Sequence, residues 1–118
     1  MAGRLFGVEL LDAAIAELEH EAIYYERHGG AALRDAFLDE IEQIARRITE
    51  SPRSFPEWPR KRGVRRALLK HFPFAIGFVV GSSKDEPPLI VVIAHAKRRP
   101  GYWLAQARSH RLKRKQES

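Results

Sequence analysis

Two adjacent glycines, Gly29 and Gly30, divide a long stretch of helical periodicity and constrain the fold of this chain more than any other feature. Apolar side chains recur every three or four residues before the pair, at Ile15, Leu18, Ala22 and Tyr25. They recur in the same way after it, at Leu33, Phe37, Ile41, Ile44 and Ile48. Such spacing gives a helix one apolar face, and glycine adopts the left-handed conformation that commonly ends a helix. The sequence therefore predicts two amphipathic helices in a helical hairpin, the second from about Ala32 to Glu50.

Strand-like segments lie on both sides of the predicted hairpin. Residues 4–10 predict one short strand before it. Three strands are predicted after it, at residues 64–71, 74–80 and 89–94. The last is apolar on both faces, which is typical of a central strand. Residues 51–63 contain three prolines and predict a loop.

Together these elements predict an α+β fold in a single domain. Its order is an N-terminal strand, a helical hairpin that packs on one sheet face, and a three-stranded antiparallel meander, because short connections favour antiparallel neighbours. The domain is expected to cover residues 1–104, and residues 105–118 form a basic C-terminal tail that is interpreted as a solvated end.

The charge is distributed very unevenly along the 118 residues, whose net charge is +6. Residues 1–50 carry 5 basic and 11 acidic side chains, whereas residues 51–118 carry 16 basic and 4 acidic ones. A basic segment of this strength favours a polyanionic partner, either nucleic acid or an acidic protein. The acidic side chains of the hairpin are interpreted as its solvent-facing side; they include Glu19, Glu26, Asp39 and Glu42.

Composition excludes several classes of site. The chain has no cysteine, which rules out disulfide frameworks, zinc bound by cysteine, iron–sulfur clusters and thiol nucleophiles. No metal and no cofactor is expected. No apolar run approaches the ~20 residues of a membrane span, and the N-terminus lacks the apolar core of a signal peptide. We therefore expect a cytoplasmic protein without a membrane partner.

Four segments resemble the RelE/ParE superfamily of toxins from type II toxin–antitoxin modules, which include plasmid stabilisation systems. They are ELLDAAIAELEHEAIYYE (9–26), FLDEIEQIARRITESP (37–52), GVRRALLKHFPFAIGFVV (63–80) and IVVIAHAKRRPGYW (90–103). The resemblance implies the RelE/ParE-like toxin fold. It also implies a growth-inhibiting protein that is neutralised by a cognate antitoxin, usually acidic and encoded beside it.

The superfamily divides by target. ParE-like members interfere with DNA gyrase, whereas RelE-like members are mRNA interferases that cut messages in the ribosomal A site. The opening DAAIAELEHEAIYYE and the ending AHAKRRPGYW are more similar to ParE-like proteins. The expected function is therefore a ParE-like toxin. The alternatives are a ribosome-dependent endoribonuclease and a non-toxic nucleic-acid-binding domain in which the basic residues only contact phosphates.

Metal-independent cleavage of RNA needs a base, an acid and cations around the phosphate. Under the ribonuclease hypothesis the candidate catalytic residues are His95, Tyr102 and Arg65. His95 ends a predicted buried strand, where a histidine also commonly fixes a turn. No complete acid–base pair is recognisable in the sequence, because Glu57 lies in a proline-rich loop that is a poor scaffold for a positioned base.

A basic cluster is predicted to bind nucleic acid or the antitoxin. Its members are Lys61, Arg62, Arg65, Arg66, Lys97, Arg98 and Arg99. Successive residues of a strand point to opposite faces, so Arg65 and Arg66 are expected to separate. One joins the anion-binding site, and the other is expected to pair with a helix carboxylate.

Overall fold

The structure is a computed structural model that describes residues 2–83 and 86–95. The described residues form six strands: β1 (Ala2–Leu5), β2 (Val8–Leu11), β3 (Glu57–Trp58), β4 (Lys61–Leu68), β5 (Phe74–Val79) and β6 (Leu89–His95). One interrupted helical segment, α1, runs from Asp12 to Glu50, and a short 3-10 turn follows at Pro52–Ser54. The predictions for Lys97, Arg98, Arg99, Tyr102 and the tail lie outside the described residues.

A break at Gly30 turns the helical segment α1 into a hairpin. Gly30 has φ 76° and ψ −176°, a conformation that is not helical and that favours glycine. The rings of Tyr25 and Phe37, on either side of the break, are 5.0 Å apart. A straight helix would separate positions twelve residues apart by ~18 Å. The predicted helical hairpin is therefore confirmed, with a first arm over residues 12–29 and a second arm over residues 31–50.

The N-terminal segment differs from its prediction. Residues 4–10 were expected to form one strand, but Phe6 and Gly7 adopt positive φ angles of 55° and 74° and form a turn between β1 and β2. The two strands pair antiparallel, with Leu5 opposite Val8. The single-strand prediction is wrong because apolar residues stand on both sides of the turn and hide it in the pattern.

The sheet has the strand order β1-β2-β6-β5-β4-β3. Strands β5 and β6 lie in its centre, as predicted for residues 89–94. Strand β5 pairs antiparallel with both β4 and β6, whereas β2 pairs parallel with β6. The sheet has more strands than predicted, because the N-terminal segment forms two strands and the proline-rich loop contains the edge strand β3. Strand β4 begins and ends three residues earlier than predicted, at Lys61 and Leu68.

The hairpin covers one face of the sheet and closes the main core. Phe37, Ile41 and Ile48 of the second arm are at most 1% exposed. They belong to one cluster with the sheet residues Leu10, Ile76, Phe78 and Ile93. We call this side of the sheet the covered face and the opposite side the open face. Within the described residues, no helix has the length and apolar character needed to cross a membrane.

Candidate functional site

The open face combines small residues with one tryptophan. A second cluster there consists of Trp58, Ala75 and Ala94, with Val64 and Val92 packed against it. A β-carbon added to Gly77 would lie 2.6 Å from Cγ1 of Val92 and 3.0 Å from the ring of Trp58. The indole of Trp58 therefore lies directly over the glycine, and it closes the middle of this face.

Arg66 is the half-buried cation of the open face. It stands opposite Gly77 in the β4–β5 register, and its backbone N–H donates to the carbonyl of Pro56 at 2.8 Å. Among residues 2–83 and 86–95, no carboxylate forms an ion pair with its guanidinium. Leu68 lies on the same face, two positions after Arg66 in β4, and is 53% exposed. The arrangement offers guanidinium donors beside apolar surface, which suits a carboxylate or a phosphate.

Arg65 lies on the covered face, so the predicted separation of the two arginines agrees with the structure. Its expected carboxylate partner is replaced by two backbone carbonyls. The Arg65 guanidinium donates to the carbonyl of Phe55 and, at 3.4 Å, to that of Arg53. The ring of Phe55 packs edge-on against Phe78, at 5.5 Å between centroids. Arg65 therefore fastens the proline-rich loop to the core.

The two other described members of the basic cluster begin strand β4. Lys61 pairs with Trp58 in the β3–β4 register, and Arg62 is exposed. Arg66 follows Lys61 by five positions, which corresponds to ~16 Å along a strand. These side chains therefore line one strand and do not converge on a single point.

His95 ends strand β6 on the covered face. It pairs with Phe74 in the β5–β6 register, and their ring centroids are 5.0 Å apart. Arg65 pairs with Phe78, four residues further along β5. That offset alone corresponds to ~13 Å, and β4 and β6 lie on opposite sides of β5. The structure therefore does not bring Arg65 and His95 together, and Tyr102 lies outside the described residues.

Glu40, which the sequence interpretation missed, is a buried charged residue of the second arm, 8% exposed. One of its carboxylate oxygens accepts hydrogen bonds from the backbone N–H groups of Lys70 and, at 2.9 Å, of His71. Its other oxygen contacts Nδ1 of the His71 ring at 3.2 Å. Glu40 thus ties the β4–β5 turn to the hairpin. The signal in the sequence is its position three residues after Phe37, which places it at the edge of the apolar stripe.

The first arm carries an unusual carboxyl group. Partial burial, and then the neighbouring charge of Glu21, raises the pKa of Glu17 from 4.5 to about 7. Burial also raises the pKa of Tyr25, with smaller contributions from Glu21 and Tyr24. Within the described residues, no group of three His, Asp or Glu side chains is arranged to hold a metal ion.

Comparisons with known proteins give one informative result. No protein-family model matches the chain, and no curated protein matches it. Among solved structures, the chain is similar to one from the chromosomal ParDE TA system of P. aeruginosa, with a TM-score of 0.62 and 21% identity. The match covers 73% of this chain and 90% of that chain. At this identity the likeness shows a shared fold.

Proposed function

We propose that this protein is the growth-inhibiting toxin of a bacterial type II toxin–antitoxin module, that it interferes with DNA gyrase, and that a cognate acidic antitoxin neutralises it. The observation that carries the proposal is the fold shared with the chain of the ParDE system over 90% of that chain's length. The sequence segments 9–26 and 63–80 support the same assignment from an independent direction.

In this proposal Arg66 is the central contact residue. Its guanidinium stands on the open face without a carboxylate partner among the described residues, next to the exposed side chain of Leu68. A guanidinium that is already partly desolvated binds a carboxylate or phosphate with fewer competing water contacts. The antitoxin would neutralise the toxin by placing an acidic residue at Arg66 and apolar side chains on Leu68.

The positions of two candidate catalytic residues argue against RNA cleavage as the activity of this protein. Arg65 donates to backbone carbonyls, and the His95 ring packs on Phe74 at the covered face. A general base must come within hydrogen-bond reach of the proton that it removes, together with the cation that stabilises the phosphate. Arg65 and His95 are separated by too many register positions to share one phosphate.

Pulse labelling after induction of the protein tests the target. Gyrase interference predicts that DNA synthesis stops first, with intact messages and a DNA damage response. An early stop in protein synthesis, with messages cut inside translated frames, would instead establish the endoribonuclease. Affinity for nucleic acid that falls steeply with salt, without growth arrest, would establish the non-toxic binding domain.

A pair of arginine variants tests the site. We expect Arg66→Ala to fold normally and to lose most of the growth inhibition. The matched control is Arg46→Ala, which removes an exposed guanidinium 3.8 Å from Glu42 on the second arm. Full growth inhibition by a folded Arg66→Ala variant would remove this residue from the proposal, while the labelling experiment would still decide the target.

A further inference from the structure

The turn between β4 and β5 forms a small cup on the surface, the turn cup, which combines apolar side chains with Lys70 and His71. A cavity of about 220 Å3 is lined by the consecutive residues 68–74, of which Leu68, Leu69, Phe72, Pro73 and Phe74 are apolar. Leu68 is 53% exposed, although Leu69 and Phe74 beside it are buried. Leu68 is thus an exposed large apolar side chain that stands directly at the edge of a cavity.

The rim of this turn cup is basic. Lys70 and His71 contribute the polar part of the lining, and no carboxylate lines the cavity. Asp39 and Glu40 line an adjacent cavity of about 230 Å3 on the hairpin side of the turn, and this cavity shares Lys70 and His71 with the cup. The carboxylate of Glu40 is already occupied by the hydrogen bonds from Lys70 and His71. An incoming negative charge therefore meets Lys70 at the rim of the cup.

The turn is also held rigid before any partner arrives. Glu40 fixes the backbone at Lys70 and His71, and the backbone N–H of Leu69 donates to the carbonyl of Phe74 at 3.0 Å. Phe72 packs on Phe37 and Tyr25 of the hairpin, with centroid distances of 5.3 and 5.0 Å. A surface fixed in this way loses little conformational entropy on binding.

We propose that the turn cup is the docking site for an acidic amphipathic segment of the antitoxin. One large apolar side chain of that segment packs against Leu68 and enters the cup, and a neighbouring carboxylate pairs with Lys70. The inference rests on the proposed function for the identity of the partner, but the chemistry of the cup does not depend on the toxin's target.

Charge distinguishes this partner from the protein's own C-terminal segment. Residues 96–118 carry eight basic side chains and one acidic one. Such a segment would be repelled by Lys70, whereas an acidic partner is attracted and steered toward it. The same contrast argues against a second copy that docks through its basic half.

Peptide titration of the isotope-labelled full-length protein, followed by NMR, tests the docking site. The probes are synthetic amphipathic peptides of about 14 residues with leucine or phenylalanine anchors between glutamates, because recognition of this kind uses short anchored segments. Counterparts with lysine in place of glutamate serve as charge controls. We expect shift changes confined to the amides of residues 68–72 and of Phe74 with the acidic peptides and none with the lysine peptides.

Two variants provide the matched comparison. Leu68→Glu should weaken binding of the acidic peptide at least about tenfold, whereas Ile23→Glu should leave it unchanged. Ile23 is similarly exposed, at 48%, but it belongs to the first arm and does not line the cup. Both substitutions add one negative charge at an exposed apolar position, so the difference between them reports the site.

Three results would overturn the inference. They are shift changes centred on another surface, equal binding by Leu68→Glu, and direct contacts between residues 96–118 and Leu68 in the free protein. None of them depends on toxicity. If the protein stops growth but does not bind the acidic peptides, the proposed function stands and the docking site is wrong. If it binds the peptides at the turn cup but does not stop growth, the docking site stands and the proposed function is wrong.

Discussion

The two faces of the sheet use the same strands in opposite ways. On the covered face, Ile76 and Phe78 are completely buried under the hairpin. On the open face, the residue between them is Gly77, with Trp58 lying over it and Arg66 beside it in register. Large side chains on one face supply the stability of the fold. Small ones on the other leave room for a cation whose partner is not found among the described residues.

The largest effect on stability is expected from truncating a large side chain on the covered face. Ile76→Ala should lower the free energy of unfolding by about 2–5 kcal/mol, because the cavity lies in a fully packed core. On the open face, truncation of the half-buried Val92 to alanine should cost clearly less. Urea denaturation followed by circular dichroism measures both, and equal losses would contradict the division of roles.

Removal of the Glu40 carboxylate should have the next largest effect. Glu40→Ala leaves two backbone N–H groups of the turn without their acceptor, which costs roughly 1–3 kcal/mol. Hydrogen exchange at Lys70 and His71 should accelerate in this variant. Glu42→Ala is the control, because it removes only an exposed pair with Arg46 and should cost less than about 1 kcal/mol. Unchanged exchange in the turn would show that Glu40 does not hold it.

Arg65 and Arg66 allow the two faces to be compared at neighbouring positions of one strand. Arg65→Ala should destabilise the protein by roughly 1 kcal/mol, because two carbonyls of the proline-rich loop lose their donor. Arg66→Ala should leave the denaturation midpoint nearly unchanged. Denaturation and growth assays on both variants separate the roles: one residue should affect stability, and the other growth inhibition. If the two variants had the same stability and the same growth inhibition, the different roles assigned to Arg65 and Arg66 would be wrong.

The smallest expected effect is a dependence of stability on pH. The folded pKa of Glu17, about 7, is above its ordinary value of 4.5, so the folded state binds more protons than the unfolded state between these values. Stability should therefore fall as the pH rises through this window, because the charged form is disfavoured by burial. Glu17→Gln should flatten that slope when melting temperatures are compared between pH 4.5 and 8. A slope that survives in the variant would have to come from another group.

Much of the architecture could be predicted from periodicity and glycine. The hairpin follows from two apolar stripes around Gly29 and Gly30, and the central position of β6 follows from its apolar character on both faces. The turn at Phe6 and Gly7 was not predicted, because a positive φ at a phenylalanine leaves no mark in the apolar pattern and a single glycine is also tolerated within a strand.

The candidate site was only partly accessible to such reasoning. The alternation of side chains along a strand predicts that Arg65 and Arg66 lie on opposite faces, but it does not show which of them faces the hairpin. The carbonyl partners of Arg65 belong to a loop whose path depends on tertiary packing. Glu40 sits on the boundary of an apolar stripe, where sequence alone does not distinguish a solvated carboxylate from a buried one that holds a turn.

The parallel pairing of β2 with β6 has a consequence for how the protein is made. Leu10 pairs with Ile90, 80 positions later in the chain, so the sheet cannot close until nearly all of the described residues have been synthesised. At about 5–20 residues per second, the ribosome needs several seconds to bridge that interval. During this time the first strands and the hairpin exist without their central neighbour. The apolar faces of these elements therefore stay without their central strand until synthesis of the described residues is nearly complete.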